Sequence, residues 1–153
     1  IDADIAIVDL NKMIEFSISI QPVCLPQQSS ADVNGYGKVV GLLGEYSGNS
    51  FDAIENFQEG ENSSSQQFLL LLEIPQLALY LSHRMFCGGY ENVAKGPCTG
   101  DSGGGFYSEI SKFGFRYYFV SGIVSASLID QMGYCDVNKF SLYTNVTWFV
   151  DWI

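Results

Sequence analysis

Pro97-Cys98-Thr99-Gly100-Asp101-Ser102-Gly103-Gly104 is the stretch on which the reading of this chain turns. Glycines on both sides of Ser102 permit a sharp turn that lifts the serine side chain clear of the backbone and admits a carbonyl to close range. The same turn can aim consecutive backbone N–H groups at one point, and each donor to a developing oxyanion contributes about 10²–10³ in rate. A plain glycine-rich turn has the same composition, so the surrounding sequence must decide.

One competitor is the strand-to-helix elbow of α/β-hydrolases, whose Gly-x-Ser-x-Gly is followed in sequence by its histidine. Here Gly103-Gly104-Gly105-Phe106-Tyr107 leads into strand-like residues, and no histidine follows Ser102. That elbow is excluded.

The wider chain has 153 residues, 47% of them hydrophobic, with 11 Phe, 9 Tyr and 16 Gly. This is enough for one core but small for a two-domain enzyme. Short apolar runs broken by Gly, Asn and Ser predict an all-β fold with tight turns. Six strands are expected, at 38–43, 68–73, 85–88, 105–107, 117–124 and 141–144, with a further short buried strand at 5–8. The polar stretch 44–67 reads as a long exposed loop. The segment 147–153 predicts a terminal helix capped near Asn145 or Thr147. Six strands and a helix suit a small closed barrel.

A net charge of −10, with only 7 Lys and Arg, argues against a nucleic-acid partner. The longest apolar run, Phe68–Leu72, is too short to span a bilayer, so no membrane partner is expected. Cys24, Cys87, Cys98 and Cys135 show no Cys-x-x-Cys spacing, and His83 is the only histidine. Disulfides in an oxidising compartment are therefore expected rather than a metal site. The sequons at Asn62 and Asn145 mark glycosylation candidates on a secreted protein. Ile1-Asp2-Ala3-Asp4 has neither Met nor a basic leader, which predicts that the sequence starts in mid-protein.

Along nearly its whole length the chain resembles the chymotrypsin-like serine endopeptidases. The resemblance rests on blocks in the family's order: Asp4-Ile5-Ala6-Ile7-Val8, Gln21-Pro22-Val23-Cys24-Leu25-Pro26, Asn34-Gly35-Tyr36-Gly37, Cys87-Gly88-Gly89, the stretch 97–104, Val120-Ser121-Gly122-Ile123-Val124-Ser125, and Leu142-Tyr143-Thr144-Asn145-Val146 through Trp152-Ile153. It implies the second six-stranded antiparallel barrel of the two-barrel fold, preceded by the last strand of the first barrel and closed by a C-terminal helix. Residues 1–18 would end the first barrel, 19–31 connect the two, and 32–153 form the second.

The resemblance also implies roles. Ser102 would be the nucleophile, with the N–H groups of Gly100 and Ser102 as the oxyanion hole, and Asp4 would orient the histidine. Asp101 would pair with the new α-amino group after zymogen cleavage. Cys98 and Cys135 would form the bridge beside the specificity pocket, and Cys24 would tether the domain to an upstream chain. Cys87 lacks its usual partner. Gly96 would lie at the pocket base where trypsin-like members carry Asp. Ser127 and Ser141 would form its walls, and Ser125 would border it. A neutral, open pocket implies an apolar P1 side chain, aromatic or aliphatic. Gly105 in place of the usual Pro, and the distance from Ser125 to Cys135, resemble arthropod modular proteases of immune cascades.

The family's histidine precedes the aspartate, so it lies outside these residues, and His83 reads as an ordinary surface residue. The expected function is thus a secreted endopeptidase acting on protein or peptide substrates without a cofactor, present as a fragment that is inactive alone. The alternative is a catalytically inactive homologue serving as a regulatory or binding module.

Overall fold

The computed structural model describes residues 2–26, 36–40, 57–58, 81–89, 96–136 and 138–153. Among these residues six strands form one antiparallel sheet: β1 (Tyr36–Val39), β2 (Phe57–Gln58), β3 (Met85–Gly88), β4 (Gly105–Lys112), β5 (Phe115–Ala126) and β6 (Ser141–Asn145). The order across the sheet is β2-β1-β4-β5-β6-β3. This is the antiparallel all-β architecture that the sequence predicts.

Alternation along the strands divides the core in two. Val39, Phe86, Phe106, Val124 and Tyr143 form one buried cluster. Met85, Cys87 and Leu142 form the other, flanked by Leu81, Ala126, Leu128 and Phe140. β3 and β6 pair in register from Met85↔Thr144 to Gly88↔Ser141, so each strand sends neighbouring residues into different clusters. In the first cluster the Phe86 and Tyr143 rings stack at 5.1 Å. Phe106 meets both edge-on at 5.2 Å. Each such ring pair adds about 0.5–1.5 kcal/mol beyond the area it buries.

Two irregularities interrupt β5. Ser121 is the extra residue where the pairing shifts against Phe106 and Tyr107. Ser125 is the extra residue where Val124↔Tyr143 gives way to Ala126↔Leu142. A bulge of this kind re-aims one side chain. Ser121 turns to Ser108, its hydroxyl donating at 2.8 Å.

Three expectations need correcting. Residues 5–8 form no strand, and Val8 is 79% exposed. A strand requires a ladder partner, and among the described residues none lies beside this segment. The two-residue strand Phe57–Gln58 pairs with β1 inside the stretch expected to be loop. The closing helix is a single 3-10 turn, Val146–Phe149, capped by Asn145, whose side chain accepts from the Thr147 N–H at 3.1 Å. The strand expected at 68–73 lies outside the described residues.

Candidate active site

Ser102 lies in the turn that feeds β4, and it is exposed. Gly100 and Gly103 on its flanks have φ of +103° and +86°. These left-handed values cost any other L-residue about 1–2 kcal/mol. Gly104 is needed for space instead, since a Cβ there would lie 2.9 Å from the Asp101 carbonyl oxygen. Four backbone bonds set the turn. The Asp101 N–H donates to the Cys98 carbonyl at 3.0 Å, and the Gly104 N–H to that of Asp101 at 2.9 Å. Gly103 donates to the Val124 carbonyl at 2.9 Å, and Val124 to that of Gly104 at 2.8 Å. Among the described residues the N–H groups of Gly100 and Ser102 have no acceptor. They are the two donors expected of an oxyanion hole.

The second component comes from the opposite end of the chain. Asp4 accepts a hydrogen bond from the Ser125 hydroxyl at 2.6 Å. The Thr144 hydroxyl donates to the Asp4 carbonyl at 2.9 Å. Val124, which holds the Ser102 turn, immediately precedes Ser125, so one stretch of β5 references both the serine and the aspartate. Ala3 sits at φ 56°, a left-handed conformation, with the Ile5 N–H donating to its carbonyl at 2.9 Å. On the far side of Ala3, Arg84 donates two hydrogen bonds to Asp2. With a further hydrogen bond from the Ser82 side chain, they hold the Asp2 carboxyl at about 2, below the usual carboxylate range. The Arg84 guanidinium also lies 5.3 Å from the centre of the Phe149 ring.

Asp101 is buried, and its carboxylate accepts from the Cys98 N–H at 3.0 Å. No cation reaches it among the described residues. Its negative charge, together with burial, pushes the Tyr143 phenol upward; burial is the larger cause.

Cys98 is bridged to Cys135, with a Cα–Cα distance of 5.6 Å. Burial pushes the thiol of Cys87 up to about 12, whereas Cys24 is exposed. Gly96 is buried. The Ser127 hydroxyl donates to the Pro97 carbonyl at 2.6 Å and lies 3.1 Å from the Ser141 hydroxyl. The expected pocket residues Ser127 and Ser141 thus meet each other, next to the segment that begins at Gly96. Ser125 instead turns to Asp4. Asn62 lies outside the described residues, and Asn145 is half-buried as the cap of the last turn. His83 is exposed and meets the Trp148 ring edge-on at 4.9 Å. Among the described residues no group of His, Cys, Asp and Glu side chains could hold a metal ion.

Sequence reasoning missed Arg84 altogether. Thr144 stood in a recognised block without a role. The bulge that aims Ser125 leaves no compositional trace.

A serine on a glycine turn, on an antiparallel β framework that also holds an aspartate, is the arrangement expected of a serine peptidase of the chymotrypsin fold. The family model described as Trypsin matches residues 1–153, and the chain belongs to that family. Peptidase activity on protein substrates is the general property of the family.

Proposed function

We propose that this chain supplies the nucleophile and the acid of a secreted endopeptidase made as a zymogen, its general base being a histidine outside these 153 residues. The observation that carries this reading is the 2.6 Å bond from Ser125 to Asp4. Ser125 follows the residue that holds the Ser102 turn, although Asp4 is 121 residues away. Ser102 attacks the scissile carbonyl, and the N–H groups of Gly100 and Ser102 receive the oxyanion. Asp4 accepts from the histidine and stabilises its cationic form, Ser125 and Thr144 fixing its direction. Asp101, buried and with no cation beside it among the described residues, is the group to pair with a newly released α-amino terminus. Cys24, exposed on the connector, is the tether to an upstream chain. The intrachain disulfide suits an oxidising, extracellular setting.

Gly96 brings no charge to the pocket base, so the P1 side chain is apolar. Ser127 and Ser141, whose hydroxyls lie 3.1 Å apart, are small wall residues, which suits an aromatic or aliphatic P1 side chain.

Covalent labelling tests the reading. A fluorophosphonate is expected to leave this chain unmodified, because His83 is held against Trp148 and serves no base role. Imidazole supplied in solution is expected to restore modification at Ser102 and nowhere else, with Ser102→Ala as control. Unaided labelling would show that a base is present after all. Labelling at another serine would remove Ser102 from its role.

A further inference from the structure

β4 and β5 run past their neighbours. Among the described residues β1 pairs with β4 at Phe106–Ser108, β6 pairs with β5 at Gly122–Ala126, and Cys24 bridges to Phe119. Beyond these contacts the two strands continue as a hairpin paired from Glu109↔Tyr118 to Lys112↔Phe115. Four residues per strand make it about 13 Å long. Its tip is about 23 Å along β4 from the strand's start beside Ser102.

The tip is an unusual choice for folding. Phe113 and Gly114 have φ of 53° and 78°, the two-residue turn for which Asn-Gly is favoured. Phe113 is 89% exposed, so a bulky side chain occupies a strained backbone and buries almost nothing. Phe115 is 68% exposed, and Ile110 and Tyr117 stand directly opposite each other, both also exposed. These three share one face with Lys112. On the other face Glu109 lies between Lys38 at 3.6 Å and Arg116 at 3.4 Å. With Lys38 the hairpin carries three cations and one carboxylate, +3 − 1 = +2, against −10 − 2 = −12 for the rest of the chain.

We propose that this hairpin is a docking surface for a protein segment bearing carboxylates beside an apolar side chain. Charge complementarity selects the occupant: the hairpin is a basic projection on an acidic molecule, and its rings and guanidinium are side-chain types that anchor protein interfaces. The −12 body opposes an anionic bilayer and a second copy of the chain. The proposal goes beyond the peptidase reading and needs no hydrolysis.

The experiment selects a displayed library of random dodecapeptides on the 153-residue chain, discarding binders of the Phe113→Ser/Phe115→Ser variant. Acidic peptides with an apolar residue are expected. Their binding should weaken about tenfold or more in Phe113→Asn and in Lys112→Glu/Arg116→Glu, and weaken again with added salt. Phe113→Asn suits the turn, so loss of binding there cannot be ascribed to misfolding, and circular dichroism checks each variant. The proposal is overturned if no hairpin-dependent peptide emerges, or if the selected peptides are neutral or basic. It is equally overturned by hairpin-dependent sedimentation with phosphatidylcholine–phosphatidylserine vesicles, or by a hairpin-dependent dimer in sedimentation velocity.

Discussion

Removing the Cys98–Cys135 bridge, as Cys98→Ala/Cys135→Ala, is expected to lower stability by about 4 kcal/mol. The bridge closes a loop with a sequence separation of 37. Loop-closure entropy gives about 3 kcal/mol for 15 residues and about 4.7 for 100, so 37 falls near 4. A domain has only about 5–15 kcal/mol in total. Here many large apolar side chains between Ile7 and Ile20 lie exposed and contribute little burial, so the fold has little reserve. Urea unfolding followed by tryptophan fluorescence measures the loss. With a slope of about 2 kcal/mol per molar, the midpoint should fall by about 2 M. The loss should reside in the unfolded ensemble, leaving the native spectrum unchanged. A decrease below about 1 kcal/mol would refute the reasoning, because the bridge would then constrain nothing that the strands do not already fix.

Arg84→Ala should move the Asp2 carboxyl from about 2 part of the way back toward its ordinary value of 3.8, since the Ser82 side chain and the Ala3 backbone still lower it, read by carbon-detected NMR titration. Because the folded value is depressed, the contribution of this pair is complete above 3.8 and fades as pH falls toward 2, so Arg84→Ala should flatten the acid limb of stability. With its thiol raised to about 12 and buried, Cys87 should resist iodoacetamide in the folded protein while exposed Cys24 reacts; peptide mapping after each exposure distinguishes them. Phe113→Asn should raise stability by about 1 kcal/mol by relieving the left-handed tip, measured as a higher urea midpoint.

β3 and β6 were legible from sequence because every residue of Met85–Gly88 and nearly all of Ser141–Asn145 is buried, giving short unbroken runs with β-forming side chains. The hairpin was legible only in part. Ser108–Lys112 and Phe115–Arg116 belong to strands held by cross-strand bonds rather than burial, and polar residues there mask the strand. The terminal helix was overestimated, since the apolar period of 147–153 persists while the backbone leaves the helix after Phe149. The Ser102 turn could be read residue by residue, because positive φ and close approach demand glycine. The aspartate's surroundings could not. They depend on a one-residue slip in β5 and on an arginine far along the chain, and neither carries a local pattern.

The bulge at Ser125 has an engineering corollary. Asp4 takes its position from β5 and β6, across 121 and 140 residues of sequence, and not from the chain that follows it. The segment from Asp9 to Gln21 then resembles a slack cable between two fixed posts. Lengthening a loop raises its closure entropy only logarithmically, about 0.6 kcal/mol per doubling. A peptide tag, a cleavage sequence or a small inserted domain placed there should leave the spacing of Asp4 and Ser102 where the sheet sets it.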